Sequence, residues 1–402
     1  MTSAAALIRC QGVSKAFGPR TREALGLAAQ GVLREDILRR TGCVLAVQDV
    51  TFEVRPGELF VIMGLSGSGK STLVRLVNRL VEPSAGTVEV DGRDVGSLSD
   101  KSLRQLRNEK MSMVFQHFAL FPHRTVLENA TYGLKIRALR ERDRLARGRE
   151  ALDQVGLGDY AHRYPAELSG GMKQRVGLAR ALATESDILL MDEPFSALDP
   201  LIRRDMQDLL LRLQADLRRT IVFITHDLNE AMRLGDRILL LKNGRVVQVG
   251  TGPQIISAPA DDYVANFVAD VDRSRVLTAG DVQRAARLLA RLDDDPQELL
   301  LRLAGGEANG VYVVDGERRI VGVARDDLLA QAVAAGERHL SARWLVDEYC
   351  TTSADRPLID LVSLVGRHTV PLAVLDPDRR LVGVVPRAAL LDALATRPQG
   401  RP

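Results

Sequence analysis

Two short apolar runs indicate buried strands in the first part of the chain. Each run is followed by polar or glycine-rich sequence. Residues 59–63 (LFVIM) precede a glycine-rich loop and a helical pattern at 72–80, so strand, loop and helix follow one another. Residues 188–191 (ILLM) have the length and composition of a buried parallel strand. Open α/β sheets bind ligands at the carboxyl ends of such strands, where we therefore expect the site.

The loop after the first strand reads GLSGSGKST from Gly64 to Thr72. Glycines in such a loop let backbone N–H groups approach phosphate oxygens, and the following helix adds partial positive charge. Lys70 reaches the outer phosphates, and Ser71 is placed to ligate Mg²⁺. The predicted nucleotide-binding residues of this loop are Gly64, Ser66, Gly67, Gly69, Lys70, Ser71 and Thr72.

Two adjacent carboxylates, Asp192 and Glu193, follow the second strand in ILLMDEP. Asp192 is expected to hold Mg²⁺, directly or through water. Glu193 is expected to act as the general base that polarises the attacking water. The pair and the glycine loop together predict an enzyme that hydrolyses a nucleoside triphosphate.

Between these segments lies LSGGMKQRV at 168–176, and with it the chain resembles the ATP-binding cassette (ABC) ATPases. The resemblance implies that the segment contacts the γ-phosphate of ATP bound by a second subunit. Met172 stands where the commonest family version has Gln. By the same resemblance, residues 196–199 couple the paired sites. The roles implied are trans contact for Ser169, Gly170 and Gly171, Mg²⁺ and water sensing for Gln116, dimer coupling for Asp199, γ-phosphate contact for His226 and catalysis for Lys70 and Glu193.

Alone, His226 would more often be an ordinary structural histidine, but its position after Asp192 favours the implied role. Phe17, in KAFG, resembles the aromatic residue that stacks on adenine; a core phenylalanine is the alternative. Residues 19–42 then form an insertion with a helical pattern, and the strand pattern resumes at Val44.

The insertion and the segments MVFQHFALFPHRTVLEN and FSALDPLIRRDMQDLL narrow the resemblance to one branch. They resemble the ATP-binding subunits of glycine betaine and proline importers, in the quaternary amine uptake group. The resemblance implies ATP and Mg²⁺ as cofactors and osmoprotection as the role. It also implies a homodimer enclosing two ATP molecules, a membrane permease that inserts a coupling helix near residues 117–129, and an extracytoplasmic solute-binding protein.

The last third of the chain contains a weak repeat, at 311–333 and 371–394, with an offset of 61 residues between Gly322 and Gly383. Each copy predicts strand, turn, strand and helix, after a helical stretch. Two such units would bury their faces together. They resemble a tandem pair of cystathionine β-synthase (CBS) modules, an α+β pair attached to this transporter branch.

In that module family, a Ser or Thr three residues after the glycine and an Asp six after it bind an adenine nucleotide. Here those positions hold Arg325 and Leu328 in one copy and Pro386 and Ala389 in the other. The usual adenosine site is therefore not expected, although Asp327 lies one residue away. A structural or dimerising tail and a regulatory tail both stay open.

The fold class is therefore predicted as α/β: an ABC ATPase core with an antiparallel β subdomain and a helical subdomain around 100–180, followed by the CBS pair. We place the ATPase domain at 1–270 and the modules at 277–335 and 340–396. With 402 residues and 46% hydrophobic content, more than one core is expected.

Composition excludes several other classes. No apolar run approaches the roughly 18 residues of a membrane helix, and the N-terminus lacks a signal-peptide pattern. Three scattered cysteines fit a reducing cytoplasm. A net charge of +3 gives no nucleic-acid footprint. We expect a peripheral subunit on the cytoplasmic face of the inner membrane. The basic segment 135–150 fits a solvated helix face, with anionic lipid contact as the alternative.

Other functions are alternatives to this one. An importer ATPase for choline, carnitine or an amino acid is the nearest alternative. A non-transport ABC ATPase is disfavoured, because only 122 residues separate Lys70 and Asp192, too few for a long coiled coil, and one cassette is found rather than two. A sensing protein with vestigial ATPase activity is disfavoured by the intact motif residues. The sequence leaves open the solute, the role of the tail and the role of the insertion.

Overall fold

A computed structural model describes residues 5–304, 309–365 and 370–395. It forms two compact units, Met1–Val264 and Ala265–Pro402. The predicted domain limits at 270, 277, 335, 340 and 396 stay predictions. Residues 1–4 of the predicted ATPase domain, 305–308 of the first module and 366–369 and 396 of the second lie outside the described residues.

The described part of the first unit contains ten strands. They are β1 (Ile8–Phe17), β2 (Val44–Val54), β3 (Leu59–Met63), β4 (Ala85–Val90), β5 (Arg93–Asp94), β6 (Met111–Val114), β7 (Ile188–Asp192), β8 (Thr220–Thr225), β9 (Arg237–Lys242) and β10 (Arg245–Gly250).

Twelve α-helices begin in the described part of this unit. They are α1 (Thr21–Ala29), α2 (Arg34–Thr41), α3 (Lys70–Val77), α4 (Asp100–Lys110), α5 (Val126–Ala130), α6 (Tyr132–Ile136), α7 (Glu141–Gln154), α8 (Gly170–Ala183), α9 (Pro200–Leu217), α10 (Leu228–Leu234), α11 (Gly252–Ser257) and α12 (Asp262–Phe267). None of the helices in the described residues is long and apolar enough to cross a membrane.

The central sheet has six strands in the order β10-β9-β3-β8-β7-β6. All neighbouring pairs are parallel except β9 and β10, which form a hairpin. Every residue of β3, β7 and β8 is buried, as expected for strands covered on both faces. In register, Met63 lies beside Thr225, and Asp192 lies beside Ile224. The carboxyl ends of three adjacent strands therefore meet at one edge.

An antiparallel sheet, in the order β2-β1-β4-β5, packs against this core. Both sheets contribute to one hydrophobic cluster that also includes the inner face of α3. Phe52 of β2 stacks on Phe60 of β3 with ring centroids 5.3 Å apart. This shared core fixes the antiparallel sheet relative to the site edge of the parallel sheet.

Helices α4 to α8 occupy most of the range predicted for the helical subdomain. The range is not continuous, because β6 lies within it and forms the last strand of the central sheet. Helix α5 begins with a reciprocal capping box between Thr125 and Glu128. Helix α3 also differs from prediction: it begins at Lys70 and ends at Val77, because Gly69 is the N-cap and Arg79 has a left-handed backbone.

The insertion forms two helices, α1 and α2, between β1 and β2. Ala24 and Ala28 of α1 and Ile37 of α2 are buried in a small cluster with Cys43. Gly42, with φ of 67°, ends α2 in the left-handed conformation that glycine adopts easily. The inserted residues therefore fold as a helical hairpin, which we call the inserted hairpin (residues 19–42).

The described part of the second unit contains two similar three-stranded sheets. The strands are β11 (Leu289–Ala290), β12 (Gly310–Val314), β13 (Ile320–Arg325), β14 (Thr351–Ser353), β15 (Leu372–Leu375) and β16 (Leu381–Val385). The helices are α13 (Arg273–Val276), α14 (Ala279–Val282), α15 (Pro296–Ala304), α16 (Asp326–Ala334), α17 (Leu358–Val365) and α18 (Arg387–Ala395).

Each sheet pairs its first two strands in parallel and its last two as a hairpin, so the two halves share one topology. Residues from both halves form a common cluster that includes Tyr312 and Leu381. The Tyr312 hydroxyl donates to the carbonyl of Pro371 at 2.7 Å. The repeat read from the sequence therefore corresponds to two packed α+β halves.

Candidate functional site

Lys70 lies at the centre of the edge where β3, β7 and β8 end. Its Nζ donates to the carbonyls of Gly64 and Leu65, at 2.9 and 3.1 Å. The side chain is only 4% exposed, and its Nζ lies 3.6 Å from Oε1 of Glu193. Burial lowers the pKa of Lys70, while the nearby carboxylates of Glu193 and Asp192 oppose that shift. A cation is thus held inside a loop of backbone groups.

The loop around Lys70 requires glycine at its closest contact. Gly69 has φ of 103°, and a Cβ there would lie 2.3 Å from the carbonyl oxygen of Ala46. A side chain would therefore push the loop away from β2. Ser68 Oγ is buried without a hydrogen-bond partner among the described residues. An unpartnered buried hydroxyl in such a loop is available to a ligand.

Asp192 and Ser71 are joined directly. Ser71 Oγ donates to Oδ1 of Asp192 at 2.7 Å, and Oδ2 of Asp192 lies 3.6 Å from an Arg75 guanidinium nitrogen. The hydroxyl and the carboxylate predicted as metal ligands therefore lie in contact. Arg75 was not predicted from the sequence.

Glu193 lies between Lys70 and His226. Oε2 of Glu193 is 3.0 Å from Nδ1 of His226, while its other oxygen faces Lys70. Glu193 has φ of 46°, unusual for a residue other than glycine, and its N–H donates to Ile224 of β8 at 3.1 Å. Such a backbone, held by the neighbouring strand, is common at functional sites.

Phe17 and Gln116 lie at the ends of two other strands. Phe17 ends β1 and is 43% exposed, so it is not a core residue. The Lys15 ammonium lies 5.0 Å from the centre of its ring. Gln116 is exposed two residues after β6, the neighbour of β7 in the sheet. The structure does not join Gln116 to Lys70, Asp192 or Glu193 by any hydrogen bond within the described residues.

The signature residues lie at a helix N-terminus. Ser169 is the N-cap of α8, and its Oγ accepts from the N–H of Met172 at 3.3 Å. Asp199 caps α9 in the same way, accepting from Ile202 at 3.1 Å. In the described part of the chain, no hydrogen bond or ion pair joins Ser169, Gly170 or Gly171 to the Lys70 loop. Within one chain, therefore, the described contacts do not join the N-terminus of α8 to the phosphate loop.

One protein family and several known proteins are similar to this chain. The family described as ABC transporter matches residues 47–196. The chain is 47% identical over 389 residues to the glycine betaine transport ATP-binding protein OpuAA of Bacillus subtilis (strain 168), covering 96% of this chain and 92% of that protein. It is also 47% identical over 390 residues to the glycine betaine/proline betaine transport system ATP-binding protein ProV of Escherichia coli (strain K12), covering 96% and 97%.

The chain belongs to the ABC transporter ATP-binding proteins. Among solved structures, the chain resembles a dimeric post-hydrolysis state of the ATP-binding cassette MJ0796 bound to ADP and Pi. That match has a TM-score of 0.52 and 33% identity, and covers 61% of this chain and 98% of the other. The predicted ABC ATPase fold is therefore confirmed, and this ABC protein is an ATPase that uses ATP and Mg²⁺.

The donor set of this ABC ATPase fits both ligands. The buried Lys70, the free Ser68 hydroxyl and the N-terminus of α3 suit a chain of phosphates. Ser71 and Asp192 offer the oxygen ligands that Mg²⁺ prefers, already within 2.7 Å of each other. When bound, Mg²⁺ would neutralise phosphate charge next to Asp192.

Sequence reasoning missed Arg180 of this ABC protein. Its guanidinium donates to the carbonyls of Ala119 and Phe118, at 2.6 and 3.3 Å. Burial lowers the pKa of Arg180. The side chain thus ties α8, which begins at the signature residues, to the segment after Gln116. The sequence contained a signal for this residue, because position 180 lies about three helical turns after Ser169, on the helix that the signature residues begin.

Sequence reasoning also missed a set of polar side chains that connects α9 with the segment at His226, directly after β8. Glu230 is 5% exposed and accepts from Nε2 of Gln207 at 3.0 Å, while Arg233 donates to the other end of Gln207 at 2.9 Å. Arg203 of α9 lies 3.4 Å from Asp227. Burial raises the pKa of Glu230. These contacts hold the segment after His226 against α9, which Asp199 caps.

The raised pKa of Glu230 predicts a pH-dependent stability. The folded protein holds this proton more tightly than the unfolded chain, whose pKa is near 4.5. The free energy of unfolding therefore decreases as the pH rises from 4.5 through the pKa of Glu230 in the folded protein. The side chain of Glu230→Gln stays neutral at every pH. The difference in Tm between this variant and the wild type should therefore increase across this range, by roughly 2–4 °C for a change of about 1 kcal/mol in the free energy of unfolding.

Thermal unfolding between pH 4.5 and 8 checks this prediction. Glu150→Gln, on an exposed position of α7, is the matched control and should run parallel to the wild type. If Glu230→Gln also runs parallel, the burial of Glu230 does not govern its titration.

The second unit contains a cavity of about 650 Å³ between its two halves. Arg284, Arg287, Tyr312 and Pro371 are among the residues that line it. Asp327, the one alternative to the missing adenosine contacts, is paired with Arg325 at 2.9 Å.

Two turns of the second unit lie side by side. Arg319 and Arg380, in corresponding turns, form an antiparallel backbone bridge. Arg319 pairs with Glu317 at 2.9 Å, and Arg380 lies 3.8 Å from Asp378. The turns therefore form one exposed patch in which acidic residues accompany the arginines.

Proposed function

We propose that this chain hydrolyses ATP to energise the import of glycine betaine, proline or a related quaternary amine through a membrane permease. The observation that carries the proposal is 47% identity to glycine betaine transport subunits across 96% of the chain, including the second unit. Resemblance confined to the ATPase unit would support only a generic transporter. This chain would not itself contact the solute, so the solute is proposed from the relatives.

The site geometry supports a division of roles. Lys70 would bind the outer phosphates, and Ser71 and Asp192 would hold Mg²⁺. Glu193 would accept the proton of the attacking water, since its carboxylate lies 3.0 Å from His226 and 3.6 Å from Lys70. His226 would orient that carboxylate and contact the γ-phosphate.

The remaining roles concern ATP contacts on the same chain and across a dimer. Phe17 is exposed enough to stack on adenine, and Gln116 would reach Mg²⁺ and water once ATP is bound. Two copies would face each other, so that Ser169, Gly170 and Gly171 of one copy complete the phosphate site of the other. The exposed helix N-terminus at Ser169 supports this arrangement, because a helix N-terminus suits an anion such as the γ-phosphate.

Outside the dimer, a membrane permease would insert a coupling helix near residues 117–129 of this chain. An extracytoplasmic binding protein would deliver the solute. The subunit would sit peripherally on the cytoplasmic face of the membrane. Arg180 would carry motion between the permease contact and α8, because it donates to the backbone two and three residues after Gln116.

A solute panel tests the proposed function. The chain, its permease and its binding protein are reconstituted in vesicles, and ATP-driven uptake is measured for labelled glycine betaine, proline, choline, carnitine and an amino acid such as histidine. Glycine betaine or proline should be taken up most efficiently. Preferred uptake of choline, carnitine or the other amino acid would support the alternative importer. No uptake of any solute, with ATPase activity intact, would support a non-transport ATPase.

For the second unit we propose a tandem CBS pair that responds to ionic strength. Its two packed halves support the pair, and the adjoining arginine turns, including Arg318 and Arg379, are the candidate contact with anionic lipid. Such contact weakens as salt shortens the Debye length, from about 10 Å at 0.1 M to about 3 Å at 1 M. The accompanying acidic residues limit its strength, so a purely structural tail is the competing interpretation.

Deletion of residues 277–402 tests this proposal. ATP hydrolysis should stay within about twofold of the full chain, because the cassette residues all precede this point. Uptake in vesicles with anionic lipid should lose its dependence on internal salt. An unchanged salt threshold in the truncated transporter would favour the structural tail.

A further inference from the structure

The inserted hairpin has a closed base that fixes its position. A Cβ on Gly18 would lie 2.7 Å from Sγ of Cys43, so the two ends of the hairpin touch. Arg20 donates to the carbonyl of Thr41 at 3.2 Å, and the Cys43 N–H donates to Oγ1 of Thr41 at 3.1 Å. The hairpin is therefore held firmly to the strands that it separates.

A line of hydrogen bonds leads from the hairpin to the phosphate loop. Nε2 of Gln48, a buried residue of β2, donates to the carbonyl of Ala28 at 3.1 Å. The backbone N–H of Gln48 donates to Gly244 at 2.8 Å, and the N–H of Gly244 donates to Ser68 at 2.9 Å. Ser68 is part of the loop that surrounds Lys70. The hairpin, β2, the β9–β10 turn and the phosphate loop are thus connected in series.

Strand β2 also touches the loop directly. Cβ atoms built on Gly69 and Gly244 would lie 2.3 and 2.6 Å from the same carbonyl oxygen, that of Ala46. The strand therefore passes between the loop and the β9–β10 turn with no room for a side chain on either. A small shift of β2 would move Gly69, the residue before Lys70, since packed interiors transmit such displacements.

We propose that the inserted hairpin sets the affinity for ATP by holding β2 against the phosphate loop, with Gln48 as the positioning residue. This role rests on the ATP site assigned to the Lys70 loop. Without the Gln48 amide, the carbonyl of Ala28 loses a buried donor, and β2 loses its side-chain tie to the hairpin. The backbone bond from Gln48 to Gly244 would persist, so the loop would loosen rather than unfold.

The test measures ATP binding to the full-length protein at a temperature where all variants are folded. Gln48→Leu keeps the size of the side chain and removes the donor. The Kd for ATP should rise about three- to tenfold, the range expected for one buried hydrogen bond, with kcat at saturating ATP unchanged. Gln30→Leu is the matched control, because Gln30 is exposed on the same hairpin. Its Kd should equal that of the wild type.

Two further arms separate this role from others. Tripolyphosphate should lose affinity by the same factor as ATP, because the bonds reach the phosphate loop and not the adenine contact. A loss confined to ATP would overturn the proposed route. A lowered Tm with an unchanged Kd would show a purely structural residue and overturn the proposal. Lys70→Ala separately tests the underlying site, since undiminished ATP binding there would reject the assigned site itself.

Discussion

Glu193→Gln is expected to lower the rate of ATP hydrolysis by about 10² to 10⁴-fold while leaving ATP binding intact. The amide keeps the shape of the side chain and can still contact His226, but it cannot take a proton from water. Lys70 and Asp192 keep their positions, so the phosphates and Mg²⁺ still bind. The ATP-bound variant should therefore accumulate as a dimer, visible by size-exclusion chromatography.

Glu185→Gln is the matched control. Glu185 also has a left-handed backbone and precedes β7, but its carboxylate pairs with Arg147 on the surface. Its ATPase rate should equal that of the wild type. If Glu193→Gln turned over ATP at the parental rate, the general base would have to be another residue.

Mixed dimers should recover a composite site that neither parent has. In Ser169→Arg, a bulky cation blocks the exposed helix N-terminus of α8. In Lys70→Ala, the phosphate loop loses its buried cation. Each homodimer therefore has a lesion in both sites, whereas the mixed dimer has one site with neither lesion. At equal amounts of the two, about a quarter of wild-type nucleotide occlusion is expected from random pairing.

Occluded nucleotide after rapid gel filtration measures this recovery, with each parent alone as the control. Wild-type hydrolysis should also rise more steeply than linearly with protein concentration near the dimer Kd. Mixtures that behave as the sum of their parents, together with a concentration-independent specific activity, would mean that one chain completes the site by itself.

The central sheet was predictable because its strands carry strong local signals. The runs at 59–63 and 188–191 are entirely apolar, and β7 extends the second by one residue, to Asp192. The limits of α3 were less predictable, since its helical pattern continues past Val77. There Arg79 has a left-handed backbone, and its guanidinium donates to the carbonyls of Val95 and Leu98, so the helix end depends on contacts distant in sequence.

Residues of the site could be predicted only where they belong to short motifs whose residue types and spacing indicate a chemical role. Lys70 and Ser71 begin α3 after the loop that follows β3, and Asp192 and Glu193 lie at the end of β7. The parallel sheet brings these two segments together. The Gln48 contacts could not be found in this way, because they cross from β2 to Ala28 and Gly244. No local pattern marks such bonds, and the glycine at 244 reads simply as a hairpin turn.

The central claim is tested most directly by measuring ATP hydrolysis and the uptake of labelled glycine betaine at the same time. Both are measured in the same vesicles, which contain the permease and the binding protein. The account predicts that glycine betaine supplied outside stimulates hydrolysis by the wild-type chain. It also predicts that Glu193→Gln abolishes hydrolysis and uptake together. Uptake that continues at the wild-type rate with Glu193→Gln, or hydrolysis that ignores every quaternary amine, would contradict it.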